Sequence, residues 1–167
     1  YSEKIFFDKG KSEIKSIDDT RIKYKNDFII FTKNIIFNSF ENTFSSKNKT
    51  IINDKLENKF SLSDFNFNIQ NKILKANQIT LTDSRNNSIQ IEKGYIDLNT
   101  NELIGSDFAI NFDNSFFGNP ENDPRLLGRY IINNKTETTM KKSVFTTCKK
   151  IDGKCPAWEI SANEVKH

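Results

Sequence analysis

Short runs of alternating apolar and polar residues, broken about every ten residues by turn-prone ones, leave this chain few folds to choose from. In Phe65–Ile69 the alternation is clean: Phe65, Phe67 and Ile69 fall on one face, Asn66 and Asn68 on the other. A two-residue period is that of a half-buried strand. Similar runs are Lys4–Phe7, Ser12–Ile17, Thr20–Tyr24, Phe28–Phe31, Asn34–Phe37, Lys49–Ile52, Lys59–Leu62, Ile73–Ala76 and Ile79–Thr82. They continue through Ser88–Glu92, Tyr95–Leu98, Glu102–Ile104, Phe108–Phe112, Gly128–Ile132, Glu137–Met140, Ser143–Thr147 and Trp158–Ala162. No stretch sustains a 3.6-residue apolar period over three turns, so the spacing predicts an all-β chain: a sandwich, barrel or solenoid. Composition agrees, with 15 Phe and abundant Ile, Thr and Asn. Codon bias in an AT-rich genome favours the same residues, which makes the pattern the stronger signal.

A faint repeat runs through the strands. Leu74-Lys75-Ala76-Asn77-Gln78-Ile79-Thr80 matches Ile160-Ser161-Ala162-Asn163-Glu164-Val165-Lys166 in character, with a looser copy at Ile104–Ile110. The shared form is a strand that reaches a small residue, passes a bulge or corner, and re-enters a strand with its apolar parity changed. Such units bury a continuous core by stacking. The rhythm breaks at Phe116–Arg125, where Pro120, Pro124, Gly118 and several Asn and Asp residues exclude a central ladder strand. The pattern resumes at Gly128, so this is a long surface loop inside one domain, 1–167, and loops of that length are often functional.

Composition narrows the chemistry. At 167 residues the chain can bury one real core. Its mean hydropathy of −0.64 and formal charge of +3 describe a polar surface with interspersed charges. Without a basic stripe interleaved with aromatics, nucleic-acid binding is not expected. No apolar run approaches the ~18 residues of a spanning helix, and a location outside the cytoplasm requires a leader removed before Tyr1. The one His is His167, so neither a His-based triad nor a Cys/His metal site is expected. Adjacent acids such as Asp18-Asp19 read as solvated, and no phosphate loop or nucleophile elbow is present. No catalytic residue, metal or cofactor is expected. Cys148 and Cys155 bracket Asp152-Gly153, a strong turn signal. Facing each other across that turn they can close a disulfide, worth ~2–3 kcal/mol for so short a loop, in an oxidising compartment. The alternative is two unrelated reduced thiols.

The segment 119–167 resembles the end of the periplasmic domain of the LptD family of lipopolysaccharide-assembly outer-membrane proteins. The residues that carry the likeness are Asn122-Asp123-Pro124-Arg125-Leu126-Leu127-Gly128, Val144-Phe145-Thr146-Thr147-Cys148, Gly153-Lys154-Cys155-Pro156-Ala157-Trp158 and Ile160–His167. Residues 1–118 are similar only in style, as a run of OstA-type repeats. The resemblance implies an open, V-shaped antiparallel β-jellyroll like that of the periplasmic protein LptA. It implies no enzyme but a periplasmic lipid conduit, attached to the outer membrane, whose apolar slot shields the acyl chains of lipopolysaccharide. The implied partners are an LptA-like jellyroll, joined edge to edge with Tyr1–Ile17 as the receiving end, and an outer-membrane barrel with its plug lipoprotein. The barrel would follow His167 in a longer protein.

On that reading the slot is lined by the alternating residues Phe65, Phe67, Ile69, Ile79, Leu81, Ile89, Ile91, Phe108, Ile110 and Phe112. Family cysteines at the Cys148 position also pair beyond the jellyroll, so a local bridge and two bridges to distant partners both remain open. A non-transporting β-solenoid or adhesion module would use the same repeats but fill its interior. A sugar-cleaving β-helix would need an acid cluster that the scattered carboxylates do not provide. In this chain taken alone, Cys148 and Cys155 are expected to be bridged to each other. Mass spectrometry without reductant checks this through a linked peptide and the loss of two hydrogens. Two readily alkylated thiols in periplasmically expressed protein would count against it.

Overall fold

The computed structural model describes residues 1–24, 28–54, 59–83, 86–100, 102–134, 136–151, 154 and 156–167. Its strands are β1 (Ser2–Asp8), β2 (Glu13–Tyr24), β3 (Phe28–Lys33), β4 (Ile36–Asn38), β5 (Thr43–Ser46), β6 (Thr50–Asp54) and β7 (Lys59–Asn68). They continue as β8 (Ile73–Thr82), β9 (Ser88–Asp97), β10 (Glu102–Asn111), β11 (Arg125–Asn133), β12 (Thr138–Thr146) and β13 (Ile160–Lys166). All belong to one antiparallel sheet of 13 strands. The all-β expectation holds, and the described residues include no α-helix, only a 3₁₀ turn at Asn114–Phe117.

With β3 and β4 counted as one pass, and β5 and β6 as another, the chain is a plain meander in which each pass pairs with the next. β2 pairs with β3 along one half and with β4 along the other, and β7 does the same with β6 and β5. The lateral edges of the sheet are therefore β1 and β13.

Each strand from β7 to β12 changes face in its middle. In β8, Leu74 and Ala76 face inward, and after Gln78 so do Ile79 and Leu81. Gln78, Asp107 and Lys142 take left-handed backbone at this point in β8, β10 and β12, as do Asp18 in β2 and Asp64 in β7. For non-glycine residues this costs on the order of 1 kcal/mol each. The pairing continues in unchanged register across it, from Asn77↔Lys93 to Ile79↔Ile91 and from Ser106↔Lys93 to Phe108↔Ile91. The repeat unit Leu74–Thr80 thus holds a corner shared by neighbouring strands; toward β9 no bulge interrupts the pairing, whereas toward β7 the register shifts around Ser63↔Asn77. Runs expected as separate strands, such as Ile73–Ala76 and Ile79–Thr82, are the two arms of one kinked strand. The last strand begins at Ile160, later than the Trp158 expected, and Thr43–Ser46 is an additional short strand.

Small residues line the inside of the corner because large ones lean over it. Ala76, Gly94 and Gly105 are directly paired. A Cβ on Gly94 would lie 2.3 Å from Ile79 Cδ1, and one on Gly105 2.6 Å from Ile91 Cγ2. Ile79, Ile91 and Ile131 are each 1% exposed and Phe108 is 3% exposed, so the corner is where the core is densest. Toward the first strands its lining is short and polar: Ser16, Thr20, Thr32, Ser46 and Thr50 are buried. They satisfy one another or the backbone, with Thr20 Oγ1 donating to Ser16 Oγ at 2.7 Å and Thr32 and Thr50 hydroxyls 2.8 Å apart.

Gly128→Ala tests this packing, since its Cβ would sit 2.4 Å from the buried Phe108 ring. Denaturant unfolding should show a loss of ~1–3 kcal/mol from overpacking. Gly10→Ala, whose Cβ meets nothing closer than Asp8 Oδ1 at 3.6 Å, should leave stability unchanged.

Candidate functional site: the inner apolar face and its aromatic end

Away from the corner the inner face carries one apolar row on each arm. On the first arm, register joins Phe7, Ile14, Phe37, Phe44, Phe67, Leu74, Ile96 and Leu103 in unbroken sequence. It turns polar only at Asn133 and Thr138. On the second arm the row is Ile22, Ile30, Ile52, Phe60, Leu81, Ile89, Ile110, Leu126, Phe145 and Ile160. Most members of both rows are half-buried. Burial falls away at the edges, where Phe7 is 65% and Ile160 61% exposed.

The ten residues expected to line a slot all fall on or beside this inner face, in three environments. Phe65, Ile79, Ile91 and Phe108 are buried at the corner, while Phe67, Leu81, Ile89, Ile110 and Phe112 are half-buried further out. Ile69 lies just past the end of β7 and is exposed; its N–H donates to the Asn42 carbonyl at 2.9 Å. Alternation identifies the face, but it does not separate a residue that fills the corner from one that leaves surface open.

The loop after β10 adds a feature that alternation does not reveal. Phe112, Phe116 and Phe117 form a ring cluster, with centroids 5.1 Å apart for Phe112–Phe116 and 5.0 Å for Phe116–Phe117. It continues to Phe145 at 5.7 Å and from there to Trp158 at 6.1 Å. Phe116, Phe117 and Trp158 are about half exposed, so the second arm's apolar row ends in an aromatic rim. The 3₁₀ turn holding two of these rings is capped by Asp113, whose carboxylate accepts from the Ser115 hydroxyl and N–H. Those bonds hold Asp113 below the usual carboxylate range. Gly118, at φ 74°, closes the turn with its N–H on the Ser115 carbonyl.

The Asn122–Gly128 motif fastens this loop to β12. Asp123 N–H donates to the Thr147 carbonyl at 3.0 Å, and the Lys150 N–H donates to the Asp123 carboxylate at 3.1 Å. Arg125 Nη1 reaches the Cys148 carbonyl at 2.6 Å and the Asp123 carboxylate at 3.3 Å. Pro124 is fully buried, and its carbonyl accepts from Phe112 N–H at 3.0 Å. Cys148 sits in this clamp, its Sγ 3.8 Å from the Trp158 carbonyl. A hydrogen bond with Thr146, assisted by the nearby backbone and Arg125, holds its thiol below the ordinary range. Cys155 and the expected Asp152-Gly153 turn lie outside the described residues. Among the described residues no group of His, Cys, Asp or Glu is arranged to hold a metal.

No family model and no curated protein matches the chain.

The clamp has a measurable weight. Arg125 is largely buried, and Arg125→Ala removes hydrogen bonds from a charged donor, worth ~1.5–3 kcal/mol. Unfolding should register that loss, and hydrogen exchange should rise within 113–124. Unchanged protection there would show that the loop is held by its aromatic contacts alone.

Proposed function

We propose that the chain is a periplasmic lipid-transfer domain of the LptD type, an OstA-like jellyroll. Its inner face shields the acyl chains of lipopolysaccharide on their way to an outer-membrane barrel. The observation that carries this reading is the pair of apolar rows, one unbroken from β1 to β10 and the other from β2 to β13, left half-buried away from the corner. A folded core has no need to keep two long rows partly open, whereas an acyl chain gains ~0.8 kcal/mol for each methylene it covers. The residues that resemble that family's motifs lie beside the rows, in the Asp123–Arg125 clamp and around Trp158, where they hold the aromatic rim.

The edges of the sheet support the partners this reading expects. β1 pairs on one side only and exposes Ile5, Phe6 and Phe7. Such an edge invites strand addition, and an LptA-like jellyroll continuing the sheet would cover it. Within Tyr1–Ile17 the strand that would receive it is β1, since Ile14 and Lys15 already pair on both sides. The barrel and its plug lipoprotein belong to the opposite end, beyond β13.

The dense corner favours a second reading, a structural or adhesion module whose interior is simply filled. The two make different predictions for the half-buried positions. Photo-crosslinkers at Leu81, Ile89, Ile110 and Phe112 should capture lipopolysaccharide in cells, and a crosslinker at Asn68 should not. Capture from Asn68 alone, or from none, would favour the filled module.

A further inference from the structure

The opposite face of the sheet carries a groove that lipid shielding leaves unused. It has a volume of about 540 Å³, within the range of small-ligand sites, and runs across β8, β9 and β10 behind the corner. Its floor is the backbone of Ala76, Gly94 and Gly105, whose small or missing side chains are required by the core on the other side. Two outward rows flank it. One joins Asn66, Lys75, Tyr95 and Ile104; the other joins Asn77, Lys93, Ser106 and Tyr130.

We propose that this groove binds an acidic saccharide, a pyranose carrying a phosphate or carboxylate. Tyr95, Tyr130 and Ile104 supply apolar walls, and Tyr130 and Ile104 are 50% and 42% exposed. The C–H face of a pyranose ring stacks on such surfaces, while its hydroxyls need donors and acceptors at the rim. Asn66, Asn77 and Ser106 provide both.

Charge selects the acidic form. Lys75 and Lys93 both border the groove, and neither forms an ion pair with a described residue. The acid in the lining, Asp64, accepts a 3.0 Å bond from Asn77 Nδ2. Of the charges nearby, Arg129 is matched with Asp107 at 2.8 Å and Lys141 with Glu164 at 3.9 Å. Two ammonium groups beside aromatic walls suit one anionic group on a ring. They are too few to follow a nucleic-acid backbone.

Amide and tyrosine-ring NMR of the whole chain tests the site, with glucose 6-phosphate, galacturonic acid, glucose and inorganic phosphate as probes. The acidic sugars should give saturable shifts at Asn77, Gly94, Gly105 and Ser106 in the millimolar range. Glucose or inorganic phosphate alone should bind at least about tenfold more weakly. The surface double variant Lys75→Gln/Lys93→Gln should remove the preference for the acidic sugars while leaving glucose unchanged, and Tyr130→Ala should weaken all three sugars. The same sugar phosphate on a dodecyl chain, presented in micelles, identifies the source. A response to the soluble sugar marks a free glycan, and a response only to the micelle marks a lipid headgroup. No saturable shift with either form overturns the proposal. So does equal binding of inorganic phosphate, or a response that both variants leave intact.

Discussion

Everything inside this molecule depends on strands that turn a corner together. If one strand kinked alone it would lose register with its neighbours and leave backbone groups unpaired, at a cost that grows with each broken bond. Here the kink is shared from β8 to β12, so hydrogen bonding resumes beyond it without a slip, whereas β1 with β2 and β7 with β8 show register shifts there. The strain is confined to a few left-handed residues such as Gln78, Asp107 and Lys142. Because the corner also resets side-chain parity from β7 to β12, both arms of each of those strands can point apolar residues to the same side. Small residues beneath the corner then admit Ile79, Ile91 and Phe108 from the adjoining arm. Core, open rows and outer groove all follow from that one bend.

Two kinds of surface result. Near the corner, close contact between the arms excludes any guest, and farther out the rows lose that support and remain partly open. The aromatic rim is the place where the open surface is itself braced. Phe112 and Phe145 sit at the ends of inner-facing strands, and the clamp through Asp123, Pro124 and Arg125 keeps Phe116 and Phe117 against them. The prolines and Asx residues that exclude this segment from the sheet thus serve to fix it in place.

Much of the fold was legible because alternation is a direct image of a pleated sheet. The corner at Asn77-Gln78 and its copy at Ser106-Asp107 were visible as a change of parity after a small residue. The sequence could not say whether two arms make one strand or two, since the kink resembles a turn locally and its hydrogen bonds join distant residues. Thr43–Ser46 escaped notice because its inward residues include hydroxyls, and buried Thr and Ser look like solvent-facing ones until their partners are known. The sequence also carries a longer rhythm. Phe7-Asp8, Phe37-Asn38 and Phe67-Asn68 recur thirty residues apart. Each Asx oxygen caps the turn that follows, accepting from Lys11, Glu41 and Asn71 N–H respectively. The aromatic rim was hidden for another reason: its rings converge from a loop, two strands and the segment before β13, with no common period.

That thirty-residue rhythm means the first part of the sheet is built from interchangeable lengths. Two passes and their turns return the chain to the same edge, facing the same way, with the next Asx residue in position to cap. A duplication or loss of one whole unit would lengthen or shorten the apolar rows while preserving every pairing rule. A single residue inserted within an arm would instead turn the remainder of that arm inside out. Evolution can therefore adjust the reach of such a sheet in coarse steps, by copying, far more readily than in fine ones.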